Sequence, residues 1–353
     1  MERTVVKVVL IVLAIVLVLG LILEVGLRSR FGFGNPLIYI TDAEIGYLLA
    51  PNQQTRRFGN RIEINEYSMR GGAISPTRPE STLRVLLLGD SIANGGWWTD
   101  QADILSAMMA SGLKATVAKV GAGFVQKSSK VQELSAKPAR TTEVEVLNAS
   151  ANSWGPRNEL AYLKRFGTFG AQVVVLLINT DDLFATAPSS VQVGRDRNYP
   201  AKKPLLALQE VVTRYVLPAP NIPELTALNQ ESGDRVGFNL TAIEEIGANA
   251  KSSNSKFLLA MTPLLREVGS PGPRDYEIKE RQRLTEFAAS KQILYLDFLP
   301  FFNSAESKES LYRDHIHLSY QGNLQVSQAI TQSIGQLLEA QSSAITDREE
   351  LIG

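Results

Sequence analysis

Five short stretches carry apolar side chains at successive positions rather than at alternate ones: Arg84–Leu88 (RVLLL), Val144–Leu147, Val173–Ile178 (VVVLLI), Phe257–Ala260 (FLLA) and Ile293–Leu296 (ILYL). A strand with one wet face alternates apolar and polar residues. Strands without that alternation belong to a parallel sheet covered on both faces. Helical patterns lie between them, at Ala102–Leu113, at Asn158–Phe166 behind a Pro156 suited to a first helical turn, at Tyr276–Ala289 and at Gln321–Leu338. This order predicts an α/β three-layer sandwich around a central, mainly parallel five-stranded sheet, occupying residues 81–340.

Composition agrees and removes other classes. Apolar residues make up 44% of the 353 and charged residues 20%, an ordinary globular balance. Lys+Arg and Asp+Glu both number 36, so no basic surplus points to nucleic acid. With no Cys, disulfides, thiol nucleophiles and thiolate metal sites are excluded.

The amino-terminal residues 1–30 read as an uncleaved membrane anchor. No charge interrupts Val8–Leu23, and Val5–Leu27 meets the requirement of about 20 residues for crossing a bilayer. The run exceeds a signal peptide's apolar region of ~7–15 residues, and Leu27-Arg28-Ser29-Arg30 makes a poor cleavage site. Arg3 and Lys7 before the run nearly balance Arg28 and Arg30 after it. A lone anchor ahead of a long soluble portion predicts that the soluble portion is extracytoplasmic. Residues 31–80 form a lead-in with short strands at Leu37–Ile40 and Arg61–Ile64, too small for a core of its own and expected to dock on the main domain. Two insertions are expected in that domain. Residues 114–140 hold an edge strand, Thr116–Val120, and a basic, Ser-rich piece; residues 184–252 hold a Pro-rich stretch around a helical run, Leu205–Tyr215, expected to cap one end of the sheet. The polar tail 341–353 is expected to fray.

The chain has two histidines, and both lie in Arg313-Asp314-His315-Ile316-His317. Any histidine general base must come from this pentapeptide. Asp314 stands three residues before His317, so one turn can bring its carboxylate to the imidazole and leave Nε2 free. A plainer role is equally open, with Asp314 capping the helix near Tyr320 and both histidines at the surface. His315-x-His317 lacks the further ligands that a metal site needs, and no metal is expected. Ser91 leaves the first core strand in Gly89-Asp90-Ser91, at the sheet's carboxyl edge, where backbone N–H groups can face an oxyanion. No Gly-rich loop ending in Lys-Ser/Thr is present, so nucleotide phosphate binding has no support.

From Leu83 to about residue 340 the chain resembles the SGNH, or GDSL-type, hydrolases. The first block is LLLGDSIANGG and the last is Asp314-x-x-His317-Leu318-Ser319 with Gly322-Asn323. The resemblance implies Ser91 as nucleophile, His317 as base and Asp314 as its acid partner. Two middle blocks depart from the family pattern. The oxyanion-hole glycine falls on Ser153. The oxyanion-binding Asn falls on Asp181, or on Asn179 if the register shifts by two. An ionised Asp has no proton to donate there. The implied function is a membrane-anchored serine esterase acting on an O-acylated envelope glycan or lipid, without a cofactor. An O-acetyltransferase using the same site and a non-catalytic glycan- or partner-binding scaffold are the alternatives. Trp97, Trp98 and Trp154 lie near these blocks as substrate contacts or packing residues. Oligomeric state is not fixed by the sequence.

Overall fold

The computed structural model describes residues 2–115 and 143–352, with side chains through 339. Helix α1 (Glu2–Gly26) leads through a π-turn (Leu27–Phe31) into two antiparallel hairpins, β1 (Tyr39–Asp42) with β2 (Gly46–Leu49) and β3 (Gln53–Arg57) with β4 (Asn60–Ile64). The main domain follows as β5 (Thr82–Gly89), α2 (Ser91–Asn94), α3 (105–115), β6 (Glu143–Ser150), α4 (Pro156–Phe166) and β7 (Val173–Asn179). Next come α5 (Ala207–Val211), continued by a π-turn (Val212–Val216), α6 (Pro223–Asn229), α7 (Arg235–Ser252) and β8 (Lys256–Thr262). The chain ends with α8 (Asp275–Ser290), β9 (Leu294–Asp297), α9 (Leu299–Asn303) and α10 (Tyr320–Ile352).

The central sheet has the order β6-β5-β7-β8-β9, and every neighbouring pair is parallel. All eight residues of β5 and all seven of β7 are buried, the burial that a strand without alternation requires. Leu86 and Leu88 point to one face, where α4, α7, α8 and the hairpins pack. Val85 and Leu87 point to the other, against α3, α9 and α10. The fold is therefore the expected three-layer α/β sandwich. α1 is long and apolar enough to cross a membrane, with none of its residues buried.

Elsewhere the structure adds to the sequence reading. The lead-in holds β2 and β3 besides the two expected strands, and Tyr47, Leu49, Ile62 and Ile64 are buried in the same core as α4 and α7. The stretch 184–252 is not a single insertion. Its last part is α7, the crossover helix between β7 and β8, with Ile243 and Ile246 fully buried. Parallel neighbours need such a crossover. The Pro-rich pieces hid it. Beyond its first two residues, the expected insertion 114–140 lies outside the described residues, as does its strand Thr116–Val120. The tail continues α10 to Ile352, since no helix breaker stands before Gly353.

Glu159, in the first turn of α4, is 0% exposed, and neither carboxylate oxygen has a hydrogen-bond partner among the described residues. Burial, aided by the charge of Asp90, pushes its carboxyl well above the ordinary 4.5. The folded chain therefore keeps this proton where the unfolded chain has lost it. Stability from this group is full below the ordinary value and falls as pH rises past it. Thermal unfolding followed between about pH 5 and pH 8 should show a steeper loss of Tm for the wild type than for Glu159→Gln, which keeps the shape without the titration.

Candidate active site

Ser91 sits where β5 ends. Gly89 is required just before it, because a Cβ there would lie 2.7 Å from the Leu177 carbonyl oxygen and 2.8 Å from the Ala93 Cβ. Asp90 then caps the short helix α2, its Oδ1 accepting from the Ile92 N–H at 2.8 Å. The Ser91 hydroxyl thus starts α2 at the carboxyl edge of the sheet, at 8% exposure.

His317 arrives from the opposite end of the chain. Arg313 N–H donates to the His317 carbonyl at 2.8 Å, and Tyr312 bridges Leu318, closing a tight loop. Inside it, Asp314 Oδ1 accepts from the backbone N–H of Ile316 (3.0 Å) and of His317 (2.8 Å). The imidazole Nδ1 lies 2.9 Å from Asp314 Oδ2, and Nε2 lies 3.0 Å from Ser91 Oγ. Partial burial raises the Asp314 carboxyl, but hydrogen bonds from the His317 backbone and ring and from Ile316 outweigh it and hold the group below its ordinary value. The carboxylate is thus ionised beside the ring. The capping role open to Asp314 falls instead to Ser319, whose Oγ accepts from Gly322 N–H at 3.2 Å in the first turn of α10. His315 points outward, its side chain 86% exposed.

Trp98 packs on the imidazole with ring centroids 4.2 Å apart, and the Arg313 guanidinium lies 5.1 Å from the Trp98 ring centre. Trp97 continues the stack at 5.8 Å. Both tryptophans line a cavity of about 280 Å³ together with Ser91, His317, Ser153 and Tyr199. Trp154 does not. It is 1% exposed, donates from Nε1 to the Tyr47 carbonyl at 3.1 Å and packs on Tyr162, so its role is in the core.

The positions expected around an oxyanion differ from one another. Ser153 adopts φ +57°, the left-handed region in which glycine is favoured. Its hydroxyl accepts from Tyr199 at 2.7 Å, which compensates the conformation. Its backbone N–H donates to no described acceptor. Asn179 is buried, and its amide donates to Asp90 Oδ2 and to Asp182 Oδ2, both at 2.9 Å. Both amide hydrogens are committed, so none remains for an oxyanion. Asp181 stays exposed and lines a second cavity that also touches Ser91 and Ser153. The surrounding protein still removes enough water from its carboxyl to raise it above the ordinary value. Burial raises Asp90 and Asp182 as well, Asp182 well above the usual carboxylate range.

One residue escaped the sequence reading. Arg70 is 1% exposed and donates to the carbonyls of Asn94 and Thr99, each at 2.6 Å, and to that of Gly96. It fixes the loop that carries Trp97 and Trp98 away from α2. A lone arginine after a short strand offers no periodicity to mark it.

Residues 87–324 match the model of the GDSL-like Lipase/Acylhydrolase family. No curated protein matches the chain. Solved structures similar to it include LAE5, an alpha/beta hydrolase enzyme from the metagenome of Lake Arreo, at 15% identity and a TM-score of 0.42, covering 71% of this chain and 94% of that one. Axe2, an acetylxylan esterase from Geobacillus stearothermophilus, shares 13% identity at a TM-score of 0.44, over 74% and 97%. A lipase/acylhydrolase from Enterococcus faecalis shares 14% at 0.39, over 72% and 95%.

The Asn179 amide bridges two buried carboxyls, and without it each loses one donor. Asn179→Leu, close in shape, should destabilise the protein by about 1–3 kcal/mol in chemical denaturation. Asp181→Asn, at an exposed residue whose carboxyl has no hydrogen-bond partner among the described residues, should stay within about 0.5 kcal/mol of wild type in the same titration.

Proposed function

Because this chain belongs to the GDSL-like lipase/acylhydrolase family, we propose that it is a membrane-anchored serine esterase whose nucleophile is Ser91, whose general base is His317 and whose orienting acid is Asp314. The observation that carries this reading is the continuous hydrogen-bond line from Asp314 through Nδ1 and Nε2 of His317 to Ser91 Oγ, with links of 2.9 and 3.0 Å. The Asp314 carboxylate holds the tautomer with the proton on Nδ1, which leaves Nε2 to take the serine proton.

The chemistry then runs in two halves. Ser91 Oγ bonds to an ester carbonyl carbon as its proton passes to His317 Nε2. The resulting oxyanion is held by the backbone N–H groups of Ser91 and Ser153. When the bond to the alkoxy oxygen breaks, His317 returns the proton to the departing alcohol. Water, deprotonated by His317, attacks the acyl-serine, and the carboxylic acid leaves with Ser91 restored. Asp181 and Asn179 take no donating part, one because its carboxylate lacks a proton when ionised, the other because its amide is committed.

The substrate we assign is an O-acylated glycan or lipid of the cell envelope. The support is the 280 Å³ cavity at Ser91, walled by Trp97, Trp98 and Tyr199, and an amino-terminal helix fit to cross a bilayer. α1 is read as an uncleaved anchor with the soluble portion extracytoplasmic.

A fluorophosphonate probe tests the core of this reading. The folded wild-type chain should be labelled on Ser91, and Ser91→Ala should abolish labelling. An unlabelled wild-type protein with a cooperative unfolding transition would sink the esterase and leave a binding scaffold. In turnover of an activated acetyl ester, Asp314→Asn should lower kcat by on the order of 10³–10⁴-fold with little change in KM.

A further inference from the structure

Segment 205–217, within the capping stretch, is amphipathic in the wrong sense for water. The side turned to the protein carries charge: Glu210 is buried at 7% and pairs with Arg57, and Arg214 lies 3.6 Å from the same carboxylate, beside the covered Ala207 and the half-buried Val211. The side turned outward is apolar. Leu208, Val212, Tyr215 and Val216 follow the i, i+4, i+7, i+8 spacing of one helical face, at 38%, 37%, 58% and 71% exposure. Leu205 precedes them at 89%, Leu206 at 53%, and Leu217 follows at 51%. The other exposed helix residues, Gln209 and Thr213, are uncharged. Scattered surface leucines need no explanation, but a continuous stripe backed by buried charges does.

The end of α1 identifies what covers the stripe. Glu24, the first charge after the long apolar run, accepts from the backbone N–H of Ala207 (2.7 Å) and of Leu208 (3.1 Å). Arg28 donates to the Leu205 carbonyl at 2.7 Å. These bonds hold the stripe level with the point where a spanning α1 leaves the hydrocarbon. Exposed aromatic rings gather at the same level, Phe31 on Phe58 at 6.0 Å, with the buried Phe33 joining Phe58 (5.6 Å) to Tyr215 (6.0 Å). Arg30 and Arg56, next in sequence to Phe31 and Arg57, and Lys202 and Lys203, just before Leu205, are exposed and carry the sign that meets anionic headgroups.

We propose that residues 205–217 lie in the interface of the bilayer that α1 spans, so that the cavity holding Ser91 opens at the lipid surface. Phe58 and Tyr215 belong both to this patch and to the cavity wall, and Arg214 lines the cavity from the inward side of the segment. A substrate carried by a membrane lipid therefore reaches Ser91 without leaving the surface. The inference rests on the reading of α1 as a retained anchor and extends it to a second point of contact.

The absence of cysteine makes a direct test available. Single-cysteine full-length variants Leu206→Cys, Val216→Cys, Leu17→Cys and Lys279→Cys are labelled with an environment-sensitive fluorophore and reconstituted in vesicles of phosphatidylethanolamine and phosphatidylglycerol. Lys279 is the aqueous control, its side chain 80% exposed on α8. Lipids with a nitroxide near the headgroup should quench labels at 206 and 216 several-fold more than at 279, and lipids with a deep nitroxide should quench the label at 17. Quenching at 17, with labels at 206 and 216 quenched no more than the label at 279, overturns the interfacial segment and keeps the anchor. Labels at 206 and 216 shielded from an aqueous quencher yet untouched by nitroxide lipids would mean that a second copy of the chain covers the stripe, which also overturns it. No quenching at any position removes the anchor and this inference together.

Discussion

Strand β5 is buried along its whole length between β6 and β7, and this confinement decides where Ser91 can be. A parallel ladder fixes the register of its central strand on both sides, so the residue after its last pair leaves the sheet at a set point. Close approach at Gly89 lets the chain turn immediately, and the Asp90 carboxylate ends the turn by capping α2. A larger residue at Gly89 would meet the Leu177 carbonyl and push β7 away. The hydroxyl would move with it. Neighbouring groups then tighten a placement that the backbone has already made. Arg70 holds the loop beyond α2 by its carbonyls, and Asn179, at the end of β7, reaches across to Asp90.

The second half of the site is held differently. His317 lies on a loop, not on a strand end, and its position depends on local hydrogen bonds to one carboxylate. Asp314 accepts from two backbone N–H groups and from the imidazole at once, so the same group that shapes the loop orients the ring. Trp98 covers the ring's face. A loop so constrained behaves more like a rigid element than its lack of regular structure suggests. It also explains why two residues only three positions apart can serve together: the turn between them is closed by the acid itself.

Strands β5 and β7 could be read directly from the chain because full burial on two faces leaves an uninterrupted apolar run, while β9, at the edge of the sheet, carries such a run without being buried. Ser91 and the Asp314–His317 pair were legible for related reasons, one from its place after such a run and the other from the scarcity of histidine. What stayed hidden was set by contacts distant in sequence. Helix α7 shows little amphipathic contrast, because it packs against α4 as well as the sheet, and it was read as part of a capping stretch. That Asp90 and Asp182 both claim the Asn179 amide is a contact no local pattern encodes. Trp154 looked like a neighbour of the cleft because it follows Ser153, yet the left-handed turn at Ser153 sends the indole inward.

The same holds for segment 205–217, whose helical pattern is visible in the sequence while its orientation is not. An apolar stripe in such a segment normally faces the core, and a buried Glu210–Arg57 pair is the kind of arrangement that should be costly unless its geometry is good. Here the pair is supported by the Gly34 N–H, which donates to Glu210 at 2.7 Å, and by the Phe33 ring, 4.4 Å beneath the Arg57 guanidinium. Charges thus supported fix the inward face of the helix, and Leu208, Val212 and Val216 are left to face outward. That inversion places the wall of the cavity against the end of α1. The aromatic sequence Tyr215, Phe33, Phe58, Trp97, Trp98 then runs without a break from the exposed stripe to His317, each ring within 6.0 Å of the next. Of these rings Tyr215, Phe58, Trp97 and Trp98 line the cavity, and Phe33, 6% exposed, backs them from within the core, so one aromatic wall joins the stripe to the pocket that holds Ser91.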